Sequence, residues 1–120
     1  MRNNEIIDEI SGFTMPSASK FDVFKLFSLK NRTIVITGSA QGIGRVAAIA
    51  CGKAGGNIAI TDKDFKSAKK LENELRDAGI KAKAWELDVI IENRITEVFD
   101  SINSHFGSLD VLINNAGTAN

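Results

Sequence analysis

The 120 residues contain no tyrosine, one proline, one cysteine, one histidine and one tryptophan. Each scarcity excludes something. A lone cysteine, Cys51, cannot close an internal disulfide, so a reducing compartment, the cytoplasm, is the expected setting. One Cys and one His cannot complete a closed ligand set, so no metal site is expected. Without tyrosine, no phenol is present anywhere in the chain to move a proton. Fifteen Lys plus Arg balance fifteen Asp plus Glu, so no overall field draws in nucleic acid or an anionic membrane. No apolar run approaches the ~18 residues of a spanning helix. Glu5, Asp8 and Glu9 suit neither a transit peptide nor a signal peptide. What is there, 43% hydrophobic and 25% charged residues with a mean hydropathy of -0.04, describes a single soluble globular domain.

Residues 1–30 read as an N-terminal arm, with Pro16, a Ser/Ala patch over 17–19, and Phe21, Phe24 and Phe27 spaced to put three rings near one helical face. The plain expectation for those rings is packing onto the domain. From Asn31 a cycle begins. Thr33 to Thr37 is β-branched and ends in glycine, as a buried strand does. Ile43, Val46, Ala47, Ala50, Cys51 and Ala54 recur at helical spacing until Gly55-Gly56. Cys51 on that stripe is a small core residue rather than a nucleophile, because no His or Lys next to it in sequence lowers its pKa. Asn57 to Thr61 is a second strand, and Ala68, Leu71, Leu75 and Ala78 line a second helix. Lys81 to Leu87 alternates lysine with apolar residues like a half-exposed strand. Ile91, Ile95, Val98, Phe99, Ile102 and Phe106 form the stripe of a third helix, and His105 near its end suits a solvated, partly charged imidazole on the helix dipole. Leu109 to Ile113 reads as an interior strand with both faces apolar. The alternation predicts an α/β fold, a Rossmann-like doubly wound parallel sheet ending after the fourth strand, with helices on both faces.

Ligands of such sheets sit beyond the carboxyl ends of the strands. After the first strand, Gly38-Ser39-Ala40-Gln41-Gly42-Ile43-Gly44 places three glycines before a helix. Gly38 permits a tight turn, Gly42 lets a diphosphate approach the backbone, and Gly44 lets helix and strand pack closely, while free helix N–H groups attract negative charge. A glycine turn before a helix also serves as a plain connection. Asp62 stands 18 residues beyond Gly44, where a carboxylate can accept from both hydroxyls of an adenosine ribose. The alternative is a helix cap, a role open equally to Asp64. Asp88-Val89 follows the third strand, and Asn114-Asn115-Ala116-Gly117 follows the fourth.

Taken together and in order, these segments resemble the cofactor half of the short-chain dehydrogenase/reductase family. The resemblance covers Thr33 to Gly117, 85 of the 120 residues, and includes the three-residue spacer between Gly38 and Gly42. It implies that Gly38, Ser39, Gln41, Gly42, Ile43 and Gly44 hold a diphosphate, Asp62 the adenosine ribose, Asp88 and Val89 the adenine, and Asn115, Ala116 and Gly117 the ribose on the nicotinamide side, with Asn114 tying strands together. Leu26-Phe27-Ser28-Leu29-Lys30 is similar to the lead-in of the polyol dehydrogenases and sorbose reductases of that family. The implied activity is interconversion of an alcohol and a carbonyl on a small molecule, with homo-oligomers in the full-length protein. NAD is favoured over NADP by Asp62 and by neutral Gln41, where phosphate-binding relatives often carry Arg or Lys. The family's Ser, Tyr and Lys lie beyond the fourth strand, so residues 31–120 are read as an incomplete NAD(P)-binding domain with no catalytic residue. The competing expectation is a non-catalytic nucleotide-binding or interaction module.

Overall fold

In a computed structural model residues 17–117 are described. The start of the expected arm, Pro16 included, and residues 118–120 lie outside them. A short 3-10 turn, Ala18–Lys20, and a single turn of helix α1, Val23–Leu26, precede β1 (Thr33–Thr37), α2 (Gly42–Lys53), β2 (Asn57–Asp62), α3 (Phe65–Asp77), β3 (Ala82–Glu86), α4 (Glu92–Phe106) and β4 (Val111–Ile113). All strand pairs are parallel and the order is β3-β2-β1-β4. Successive side chains of a strand point to opposite faces, which sorts the core into two layers. Ile34, Ile36, Ile58, Ile60, Ala82 and Ala84 face α2 and α3, where Ala48, Ala68, Leu71 and Leu75 meet them. Val35, Ala59 and Trp85 face Val98 and Ile102 of α4. This is the Rossmann-like, doubly covered parallel sheet that the alternating pattern predicts. No helix among the described residues is long and apolar enough to cross a membrane.

Five local expectations are corrected. The buried line of α2 is Gly44, Ala48 and Gly52, while Ile43 and Val46 of the expected stripe are 82% and 66% exposed. The reason is distance. A Cβ on Gly52 would meet Ile80 at 2.9 Å, so along that line the helix approaches too closely for a branched residue, and Ile43 and Val46 turn outward. In the arm, Phe21, Phe24 and Phe27 are all exposed. One helical turn is too short to form an anchoring face, and Leu29, through its N–H to the Ala54 carbonyl and its packing on the core, makes the attachment. Strand β3 is more buried than a half-exposed strand, because α4 covers Trp85, whose indole N–H donates to Ser101 Oγ at 3.0 Å. Strand β4 spans three residues rather than Leu109 to Ile113, and, as expected of an interior strand without its next neighbour, it pairs only with β1 among the described strands and leaves Val111 and Leu112 exposed. His105 stands edge-on to Trp85 and Phe106. It is exposed, as expected of a solvated helix end, but desolvation first, then Lys83 and Arg76, push its pKa down, opposite to the helix dipole.

Asp110 clasps β4 to β1. Its Oδ2 accepts from the Thr33 N–H at 2.8 Å and from Ser108 Oγ at 2.9 Å, and its own N–H donates to the Thr33 carbonyl. The Thr33 N–H first, then Ser108 and Arg32, hold its carboxyl below the usual carboxylate range. A lowered folded-state pKa means that this clasp contributes fully above the unfolded value, about 4, and is lost as pH falls through the folded value. Acidification below about pH 4 is therefore expected to lower the protection of the Thr33 amide against exchange before the β1–β2 ladder opens, and Asp110→Asn should abolish that step. An unchanged Thr33 exchange profile in Asp110→Asn would contradict the assignment.

Candidate functional site

A cleft of about 450 Å3 opens at the carboxyl ends of the strands, lined by Gly38, Gln41, Asp62, Lys63, Leu87, Asp88, Val89, Ile90, Asn115, Ala116 and Gly117. Eight of these are residues singled out in the sequence; Ser39, Gly42, Ile43 and Gly44 do not line it. The glycine loop is built as its residue types require. Gly38 and Gly42 have φ of 63° and 62°, a left-handed conformation that side chains rarely tolerate. A Cβ on Gly38 would stand 3.0 Å from the Ala116 Cα. One on Gly44 would collide with the Gly38 carbonyl oxygen and come within 2.6 Å of Asn115 Nδ2. Gly42 has open space where its Cβ would be, and no side chain caps α2. The first-turn N–H groups thus face outward beside an unobstructed backbone, an arrangement that suits a diphosphate.

Asp62, 7% exposed, ends β2. Its Oδ2 accepts from the Ala40 N–H at 3.0 Å and its Oδ1 from the Asp64 N–H at 2.9 Å. The capping role falls to Asp64, whose carboxylate accepts from the Ser67 N–H and Ser67 Oγ, chiefly the latter lowering its pKa. Asp62 is left as an ionisable group fixed in position, with lone pairs beyond those two bonds. Lys63 and Gln41 stand on the same cleft. Ser39 turns inward. Its Oγ accepts from the Thr61 N–H at 3.1 Å and its N–H donates to the Thr61 carbonyl at 3.1 Å, and it is fully buried. Asp88 accepts the Ile90 N–H at 3.2 Å, which shapes the turn into α4.

The residue that sequence reading missed is Thr37. Its Oγ1 accepts from the N–H groups of Asn115 and Ala116 at 3.0 and 2.9 Å and donates to Asn114 Oδ1 at 3.3 Å. Asn115 Nδ2 then donates to the Gly38 carbonyl at 3.1 Å. One hydroxyl ties the loop after β4 to the loop after β1, and Asn114 is part of that tie, as expected. The available signal was a hydroxyl at the last position of a strand where valine or isoleucine packs equally well.

Residues 32–120 match the short chain dehydrogenase family. The chain belongs to that family. A sorbose reductase of Candida albicans is 34% identical over 93% of this chain and 43% of its own length. A Yarrowia lipolytica protein described as an NADP-dependent mannitol dehydrogenase is 34% identical over 86% of this chain and 37% of its own. A solved structure from Haemophilus influenza, described as a D-mannonate oxidoreductase with bound NAD, superposes with a TM-score of 0.75 at 34% identity, covering 82% of this chain and 35% of that one. The chain thus spans less than half the length of these family members.

Thr37→Val keeps the shape of the strand, takes the acceptor from the part-buried Ala116 N–H and leaves the Asn115 N–H with only the Ile113 carbonyl at 3.1 Å. A loss of about 1–3 kcal/mol is expected, with amide exchange accelerated at Asn115 and Ala116. Equal stability with unchanged exchange at those two amides would show that Thr37 does not hold the loop.

Proposed function

We propose that the chain is the cofactor-holding part of an NAD(H)-dependent oxidoreductase that interconverts an alcohol and a carbonyl. The observation that carries this reading is Asp62, a buried, doubly anchored carboxylate on the wall of a cleft that Gln41, the residue preceding the uncapped α2, also lines. In this reading the backbone from Gly38 to Gly44 and the N-terminus of α2 take the diphosphate. Ser39 contributes by holding the loop to β2, and Asp62 accepts from the adenosine ribose. Asp88 and Val89 lie beside the adenine, and Asn115 to Gly117 line the ribose on the nicotinamide side. The bound nicotinamide supplies the hydride donor or acceptor. The domain is assigned to residues 31–120, following an arm over 1–30. The relatives' names support a sugar or polyol as substrate class, and we assign a homo-oligomer and a cytoplasmic setting to the full-length protein.

The choice of NAD over NADP rests on charge. A unit charge of a 2′-phosphate at ~4 Å from Asp62 at an effective dielectric near 20 is disfavoured by about 4 kcal/mol before screening. Lys63 offsets part of that, and the family includes members described with either cofactor. NAD(H) is expected to bind at least ~10-fold more tightly than NADP(H), and Asp62→Asn should narrow the gap. Calorimetric titration with both cofactors checks this, and equal affinities in the unaltered chain would remove the assignment of Asp62.

The sequence has no tyrosine, so the 120 residues alone are expected to turn over no alcohol or ketone while retaining weak cofactor binding. Turnover of NADH above that of a Gly42→Asp control would overturn the proposal that the proton-transferring group lies outside them. The missing tyrosine also favours the second reading, a non-catalytic nucleotide-binding module. Coding sequence that continues past Asn120 into a Tyr-x-x-x-Lys segment supports the enzyme, and a stop codon there supports the module.

A further inference from the structure

Strand β3 ends the sheet. The Lys81 carbonyl accepts from the Ile58 N–H at 2.8 Å and the Leu87 N–H donates to the Asp62 carbonyl at 3.0 Å, so odd-numbered residues turn their backbone groups toward β2. Ala82 and Ala84 therefore turn theirs away from the sheet, where free groups would form a template for another strand. Side chains of α3 occupy that place. Arg76 Nε donates to the Ala82 carbonyl at 2.8 Å, and Glu72 Oε2 accepts from the Ala84 N–H at 3.3 Å. The two side chains are joined by Arg76 Nη2 to Glu72 Oε1 at 2.9 Å, and Lys69 Nζ lies 2.8 Å from Glu72 Oε2. Glu72 is 1% exposed and Ala82 and Ala84 are buried, although a carboxylate at a sheet edge has water within easy reach if it turns outward. A buried ion pair is weak evidence for stability, and what this one does is present one donor and one acceptor where a neighbouring strand would.

We propose that the Glu72–Arg76 pair stands in for a neighbouring strand on β3, and that opening it lets β3 pair antiparallel with β3 of a second copy of this chain. The choice of a second copy follows from the two groups that are covered. A two-fold axis at Lys83 sets Ala82 of one copy opposite Ala84 of the other, so the freed Ala82 carbonyl meets a freed Ala84 N–H and the edge is complementary to itself. The two Lys83 side chains then stand directly opposite each other as like charges, a second guard on the same edge.

The non-hydrogen-bonded pairing at position 83 allows a site-specific test, because facing cysteines there can be oxidised to a disulfide. In a Cys51→Ala/Lys83→Cys background the intact pair should give little cross-linked dimer. Arg76→Ala and Glu72→Ala/Arg76→Ala should raise the dimer several-fold, in proportion to protein concentration, while Lys53→Cys in place of Lys83→Cys should not respond. Cross-linking at position 83 that is the same with and without the pair, or matched by position 53, overturns the proposal. Arg76 is half exposed at the surface. Should the double variant lose its helical circular dichroism, the single variant decides, and its failure to raise the dimer counts equally against the proposal.

Discussion

The site depends on the contact between the first turn of α2 and the carbonyl of Gly38. That helix lies so near the end of β1 that position 44 has no space for a methyl group between the Gly38 carbonyl and Asn115 Nδ2. Because Gly44 lets the helix in, the loop from Gly38 to Gly42 must turn back sharply, and it does so at two left-handed glycines. Gln41, the residue that precedes α2, lines the cleft. Along the rest of the helix, Ala48 and Gly52 keep the axis close to the sheet. The uncapped N-terminus and the small-residue packing of α2 are one geometric fact.

That fact also explains what was legible in the sequence. Strand and helix order could be read because the β-branched runs and the glycines after them are strong local signals. The cleft residues followed, since the carboxyl ends of parallel strands converge whatever the side chains are. The face of α2 was misjudged because a hydrophobic stripe is weighed by its large residues, whereas a helix pressed against a sheet marks its contact line with its smallest. Thr37 was hidden for a related reason. A threonine at the end of a β-branched strand looks like packing until the loop it serves, nearly eighty positions later, is seen beside it. Ser39 looked like a ligand contact because it sits in a glycine loop, but its hydroxyl closes the gap to β2 instead. His105 could not be judged from helix position alone, since its neighbours Lys83 and Trp85 come from another element.

The two ends of the sheet are treated differently. At β3 the outward Ala82 carbonyl and Ala84 N–H are engaged by side chains of α3. At β4 the strand is short, Val111 and Leu112 are exposed, and the clasp at Asp110 faces β1 rather than the open side. An edge capped by its own helix is suited to stay an edge, whereas an apolar strand without such a cap is suited to be covered. Asymmetry of this kind gives the sheet a direction for growth, away from β3 and past β4. The cleft lies on the side toward which it grows, since Asn115, Ala116 and Gly117 leave β4 directly into its wall. A further strand added beyond β4 would therefore border the cleft without displacing anything that β1, β2 and β3 hold in place.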